Sequence, residues 1–195
     1  MTLEEFRKCM EMLKAYYVTW PFDTNNASAV SLWYLQFRNV SGKEMSKLIQ
    51  GYATTHMYGP QSPYALLEPY RKLAEQQMPN AVQAMSGLIS IVNSNVWKYD
   101  YCENLNGFLN RVPEGAAKKA FKDLTYQFQC AGHRPFSDER LVKAFTERYN
   151  EYLKEDIEEK MKEIMDMKPE ERKLMLESSK EKDEIRRSAN ELLIG

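Results

Sequence analysis

Apolar residues recur at three- and four-residue steps along most of the chain, and this spacing predicts helices throughout. Leu3, Phe6, Met10, Leu13 and Tyr17 share one face, opened by Thr2 as N-cap with Glu5 three residues on, a capping-box pattern. Trp20-Pro21 is expected to stop this helix, because the residue before a proline is pushed out of the helical region. Val30, Trp33, Phe37 and Val40 give a second stripe. Ser41, with Glu44 at the box position, opens a third helix whose apolar face is Met45, Leu48, Ile49 and Tyr52. Tyr58 to Pro63 is a break, and a fourth helix is predicted from Pro63 or Tyr64 to about Gln77.

Met78-Pro79-Asn80 marks a boundary between two halves. Beyond it, Met85, Leu88, Ile89 and Val92 predict a helix ending near Trp97, and a short helix is expected over Glu103 to Asn110. Another starts around Pro113-Glu114, with Ala117, Ala120, Phe121 and Leu124 in phase. Ala131 to Pro135 reads as a loop, and Ser137 as the N-cap of a helix running to about Met167. Lys168-Pro169 interrupts it, and Glu170 to Leu193 can form a further helix. No alternating run bounded by hairpin turns suggests a strand. The expected fold is therefore all-α: a compact helical bundle of two small subdomains, residues 1–77 and 78–150, followed by a long charged helical tail, residues 151–195.

Composition changes this picture in the tail. Residues 151–195 carry a net charge of about −4, against about +3 for residues 1–150, and no aromatic residue follows Tyr152. The tail is expected to be a solvated helix that orders fully only on a partner. The whole chain has 195 residues, 28% charged and 43% hydrophobic, enough for a core, and a formal net charge of −1 that gives no general pull toward nucleic acid or anionic membrane. No apolar run approaches the roughly 20 residues that span a bilayer. The acidic opening MTLEEFRKCM does not suit a signal peptide, so the expected location is the cytoplasm. Cys9, Cys102 and Cys130 are odd in number and widely spaced, which argues against a disulfide framework.

Ser41-Gly42-Lys43-Glu44 lacks the first glycine and the final hydroxyl of a phosphate-binding loop, and reads as a helix N-terminus. Cys130-Ala131-Gly132-His133 has a ligand-like spacing, but His56 and His133 are the only histidines and no fourth zinc ligand is suggested. Carboxylates on charge-rich helices serve solvation and i,i+4 pairing. No catalytic residue, metal or cofactor is expected, and the chain is read as no enzyme.

Two surfaces are candidates for binding. Lys118, Lys119 and Lys122 cluster on one helix with Tyr126 and Phe128 nearby, a pattern that can hold single-stranded nucleic acid, although the near-neutral overall charge favours a solvated basic face over core aromatics. In the tail, Ile157, Met161 and Ile164, then Leu174, Ile185 and Leu192, form stripes that can dock in a partner's groove, pack internally or self-associate.

One resemblance adds to this reading. The order MTLEEFRKCMEMLKAYY, a Trp20/Phe22 loop, Leu32-Trp33-Tyr34 in the second helix, Tyr52-Ala53-Thr54-Thr55 closing the third, and the Pro60/Pro63 break resembles the phage family of loaders and inhibitors of the replicative helicase. Phe108-Leu109 with Val112-Pro113, and Glu139-Arg140 with Phe145 and Tyr149, resemble segments of its longer members, so the likeness covers about residues 1 to 155. Met85 stands where longer members often carry tryptophan, and Tyr126 to Gly132 departs from their Gly-Trp-rich loop.

The resemblance implies a protein that binds the hexameric ring helicase of a bacterial host, holds it inactive and delivers it to phage DNA through an origin-binding initiator. In the family's best-known type, the C-terminal part is mobile and contacts the helicase. The alternatives are a nucleic-acid-binding replication or regulatory module on the Lys118/Lys119/Lys122 face, and a helical inhibitor of another host machine.

Overall fold

Capping chemistry fixes where the first helices begin. The computed structural model describes the backbone of residues 1–93, 105–130 and 138–194, and their side chains except at 92–93, 105–106, 129 and 185–194. Helix α1 (Leu3–Tyr16) opens on the Thr2/Glu5 capping box, and α3 (Gly42–Thr55) on the Ser41/Glu44 box. Between them, α2 (Ala27–Phe37) is capped by the Asn26 side chain, which accepts the Ala29 N–H. Among the described residues every regular element is a helix, as the periodicity demands.

The helix ends differ from the sequence expectation in two places. α1 stops at Tyr16, short of Trp20-Pro21. Tyr17 already leaves helical backbone, with φ −127° and ψ 78°, and the Trp20 N–H turns back to the Tyr17 carbonyl; the Tyr17 hydroxyl donates to the His56 carbonyl at 2.8 Å. The fourth predicted helix is two pieces, α4 (Pro63–Leu66) and α5 (Glu68–Gln77). Pro69 has no N–H to continue the ladder, so the chain turns at Leu67 and restarts with the proline in the first turn.

The second half continues with α6 (Ala81–Asn93), α7 (Leu105–Leu109), α8 (Ala116–Asp123) and α9 (Thr125–Cys130). Two long helices follow, α10 (Glu139–Asp166) and α11 (Pro169–Ile194). The expected helix end near Trp97, the start at Glu103 and the Ala131–Pro135 loop lie outside the described residues, as does the Ser137 cap. Asp138 serves as a cap there, its carboxylate accepting the Arg140 N–H at 2.9 Å.

The chain divides into two compact units: residues 1–74 with 161–195, and residues 75–160. These limits differ from the 1–77, 78–150 and 151–195 division read from the Met78-Pro79-Asn80 break and the charge shift after Glu151. Residues beyond 160 belong with the N-terminal unit because one buried arginine ties them there, as described below.

In the first unit, α1 packs on α2 and α3, and α3 on α4. Phe6, Met10, Leu13, Val30, Phe37, Val40, Met45, Ile49 and Tyr70 are buried. Phe6 stacks on Phe37, with ring centroids 5.8 Å apart. In the second unit, Ala84, Met85 and Leu88 of α6 join Phe108, Ala120, Phe121, Phe128, Phe145 and Tyr149 in one core. The Tyr149 hydroxyl donates to the Pro79 carbonyl at 2.6 Å, which ties α10 to the segment before α6. Gly115 has φ +126°, a conformation closed to side-chain-bearing residues, and it places the Ala116 N–H 2.6 Å from the Asp156 carboxylate. An acid forty positions away thus caps α8.

Candidate functional site

The first unit is organised around Arg172, on the first turn of α11 and fully buried. All five N–H donors of its guanidinium are used. Nε and Nη2 each lie 2.9 Å from a carboxylate oxygen of Glu44, a two-pronged pair. Nη1 donates to the Met165 carbonyl at 2.8 Å and to that of Met167, closing the C-terminal end of α10. Nη2 also donates to the Asn39 carbonyl at 2.7 Å, just past α2. Asn39 Nδ2 donates in turn to Asp166 at 2.8 Å. One side chain therefore joins α2, α3, α10 and α11.

Glu44 has three tasks at once. It caps α3 through Ser41, receives Arg172, and accepts the Tyr70 hydroxyl. Burial alone would raise its carboxyl, but the hydrogen bonds from Arg172 and Tyr70 and the guanidinium charge hold it below its ordinary value. Tyr70 is pushed up by burial, by its hydrogen bond to Glu44 and by repulsion from that carboxylate. Hydrogen bonding to Glu44 holds Arg172 above its ordinary value against the opposing effect of burial. These shifts keep the pair ionised. They fit a structural anchor, because no polar atom of the guanidinium is left for a ligand.

Beside this anchor lies a groove of about 410 Å³ between α3, α5 and α11. Leu48, Gly51, Tyr70 and Leu176 form its floor, and Lys43, Lys47, Lys173 and Lys180 stand on its rim.

A second surface lies where two loops meet. Trp20 Nε1 donates to the Pro60 carbonyl at 2.9 Å, and Gly59 lies so close that an added Cβ would stand 2.5 Å from the Trp20 ring. Trp20 stacks on Phe22, and Trp33 meets both rings edge-on or tilted, at centroid distances of 4.8 to 5.5 Å. On these two loops, Val18, Met57 and Tyr58 are 82%, 88% and 77% exposed. Val18, and Met57 with Tyr58, flank the Tyr17–His56 and Trp20–Pro60 hydrogen bonds that join these loops.

The sequence-derived contact residues separate on the structure. Ile164 is fully buried, with Met165 beside it, so it is core and offers no docking surface. Ile157 and Met161 are half-buried, and Leu174 is 66% exposed. The side chains of Ile185 and Leu192 lie outside the described residues. Helical structure over residues 151–195 agrees with expectation. Most described residues of this stretch are exposed, as expected of a solvated helix, while Arg172 anchors α11 on the first unit. Arg172 gave no sequence signal, since a basic residue in a charge-rich helix reads as solvated.

The basic face of α8 is largely neutralised. Lys118 is ion-paired with Glu114, and Lys119 lies 3.0 Å from Glu155 and 3.7 Å from Asp156. Lys122 is exposed and pairs with no carboxylate among the described residues. Cys130 is exposed and free, Cys9 is buried and free, and Cys102 and His133 lie outside the described residues. Among the described residues there is no cluster of three or more potential metal ligands, and no helix is long and apolar enough to cross a membrane. Compared with family models, characterised proteins and solved structures, the chain matches none.

Proposed function

We propose that this chain binds the ring-shaped replicative helicase of a bacterial host, holds it inactive and delivers it to phage DNA, hydrolysing no nucleotide itself. The observation that carries the reading is the order of family-like motifs over about residues 1 to 155. Val18, Met57 and Tyr58 are exposed on loops joined by the Trp20–Pro60 hydrogen bond and offer this reading a contact surface. The action is mass action on open and closed states of the ring: binding one state more tightly shifts the population toward it. An origin-binding initiator is the second partner that such delivery requires.

The test mixes purified helicase with the full chain and reads complex formation by gel filtration and helicase ATPase activity. A stable complex with suppressed ATPase is expected, weakened by Val18→Asp with Tyr58→Asp at unchanged thermal stability. Neither a complex nor suppression, with folded protein, rejects the proposal. Deleting residues beyond Tyr149 is not a clean test, because it removes Arg172 and the buried Ile164 and Met165.

A further inference from the structure

The groove between α3, α5 and α11 has a charge pattern that selects its occupant. Its acids are largely spoken for: Glu44 is held by Arg172, and Glu177 lies 3.7 Å from Lys173. Glu170 remains on the same lining as Lys43, Lys47 and Lys180, none of which is ion-paired among the described residues. The wall formed by α3 is purely basic at its exposed edge, since Lys43 and Lys47 stand one turn apart there. Below them the floor is apolar, with Leu48 and Leu176, and open above Gly51, where an added Cβ would meet nothing within 4 Å. From Lys43 to Gly51 the wall runs about 12 Å, or roughly two helical turns. That length receives the i, i+3, i+4 and i+7 positions of a guest helix.

We propose that this groove docks an amphipathic helix of a partner protein, with its apolar face on Leu48, Gly51 and Leu176 and an acidic flank along Lys43 and Lys47. A small anion would need convergent buried donors, and the one buried guanidinium here is fully used by protein acceptors. The apolar floor is what a peptide uses and a plain anion does not. The proposal rests on the chain acting by binding proteins, not on the helicase being the partner.

The test selects helical peptides of about 16 residues, long enough to hold a helix, from a randomised display library on the full chain. Enrichment of an apolar stripe flanked by Asp or Glu is expected. The selected peptides should bind at least about tenfold more weakly to Gly51→Trp, which fills the groove without displacing an atom at its Cβ. A second variant, Lys43→Glu with Lys47→Glu, alters only exposed side chains and should turn the preferred flank from acidic to basic. No enrichment, peptides without an acidic flank, binding indifferent to both variants, or complete displacement by inorganic phosphate each overturn the proposal. Failure of the helicase to bind leaves this result standing and removes only the earlier one.

Discussion

Replacing Arg172 with methionine keeps most of the side-chain bulk and removes five donors together. The Glu44 carboxylate, 16% exposed, loses its counter-charge, and the carbonyls of Asn39, Met165 and Met167 lose their partner. Breaking a buried ion pair from one side costs about 3 to 5 kcal/mol, mostly because the remaining charge stays desolvated. The residual exposure of Glu44 lets water recover part of this, so about 3 kcal/mol is expected. At about 2 to 4 °C per kcal/mol for a chain of this size, Tm should fall by roughly 6 to 12 °C. Urea unfolding followed by circular dichroism, with calorimetry alongside, measures it. Lys173→Met is the control: its exposed pair with Glu177 should be worth less than about 0.5 kcal/mol. Arg172→Met with Glu44→Leu should regain part of the loss, because no uncompensated charge is left. A loss below about 1 kcal/mol for Arg172→Met, or one equal to the control, would refute the anchoring role.

The lowered Glu44 carboxyl makes the first unit acid-sensitive: its contribution is complete above the unfolded carboxyl value and is lost as pH falls through the folded one, so Glu44→Gln should flatten Tm against pH below about 5. Gly115→Ala should cost about 1 to 3 kcal/mol in urea unfolding, since it forces a side chain onto φ +126° with its Cβ 2.9 Å from Asp156; an unchanged midpoint would contradict the capping geometry. Asp156→Ala should cost about 1 to 2 kcal/mol by the same measurement, through loss of the α8 cap. Single-stranded DNA at low salt should show no mobility shift, because Lys118 and Lys119 are already paired; a shift abolished by Lys122→Glu would restore the basic-face reading.

Much of the secondary structure was legible because its signals are local. The Thr2/Glu5 and Ser41/Glu44 boxes and the break at Lys168-Pro169 act within a few residues, and each stands in the structure where the chain announces it. Helix ends set by distant partners were not legible. The Tyr17 hydroxyl, just past α1, meets a carbonyl thirty-nine positions away, and Asp156 caps α8 from forty.

The candidate surfaces divide in the same way. Residue type and spacing marked an apolar stripe in the tail, but nothing in that pattern separates buried Ile164 from exposed Leu174. Charge pattern marked Lys118 and Lys119 as a basic face, while the acids that neutralise them come partly from α10. Arg172 and Lys173 are neighbours of like charge in one helix, yet one is fully buried and the other exposed. Periodicity and capping alone determined an all-helical chain and most of its breaks, because those forces need only nearby residues. Only the tertiary structure decided that the last helix belongs with the first three. That pairing joins Glu44 to a partner 128 residues away, through a buried bidentate contact that only packing can bring together.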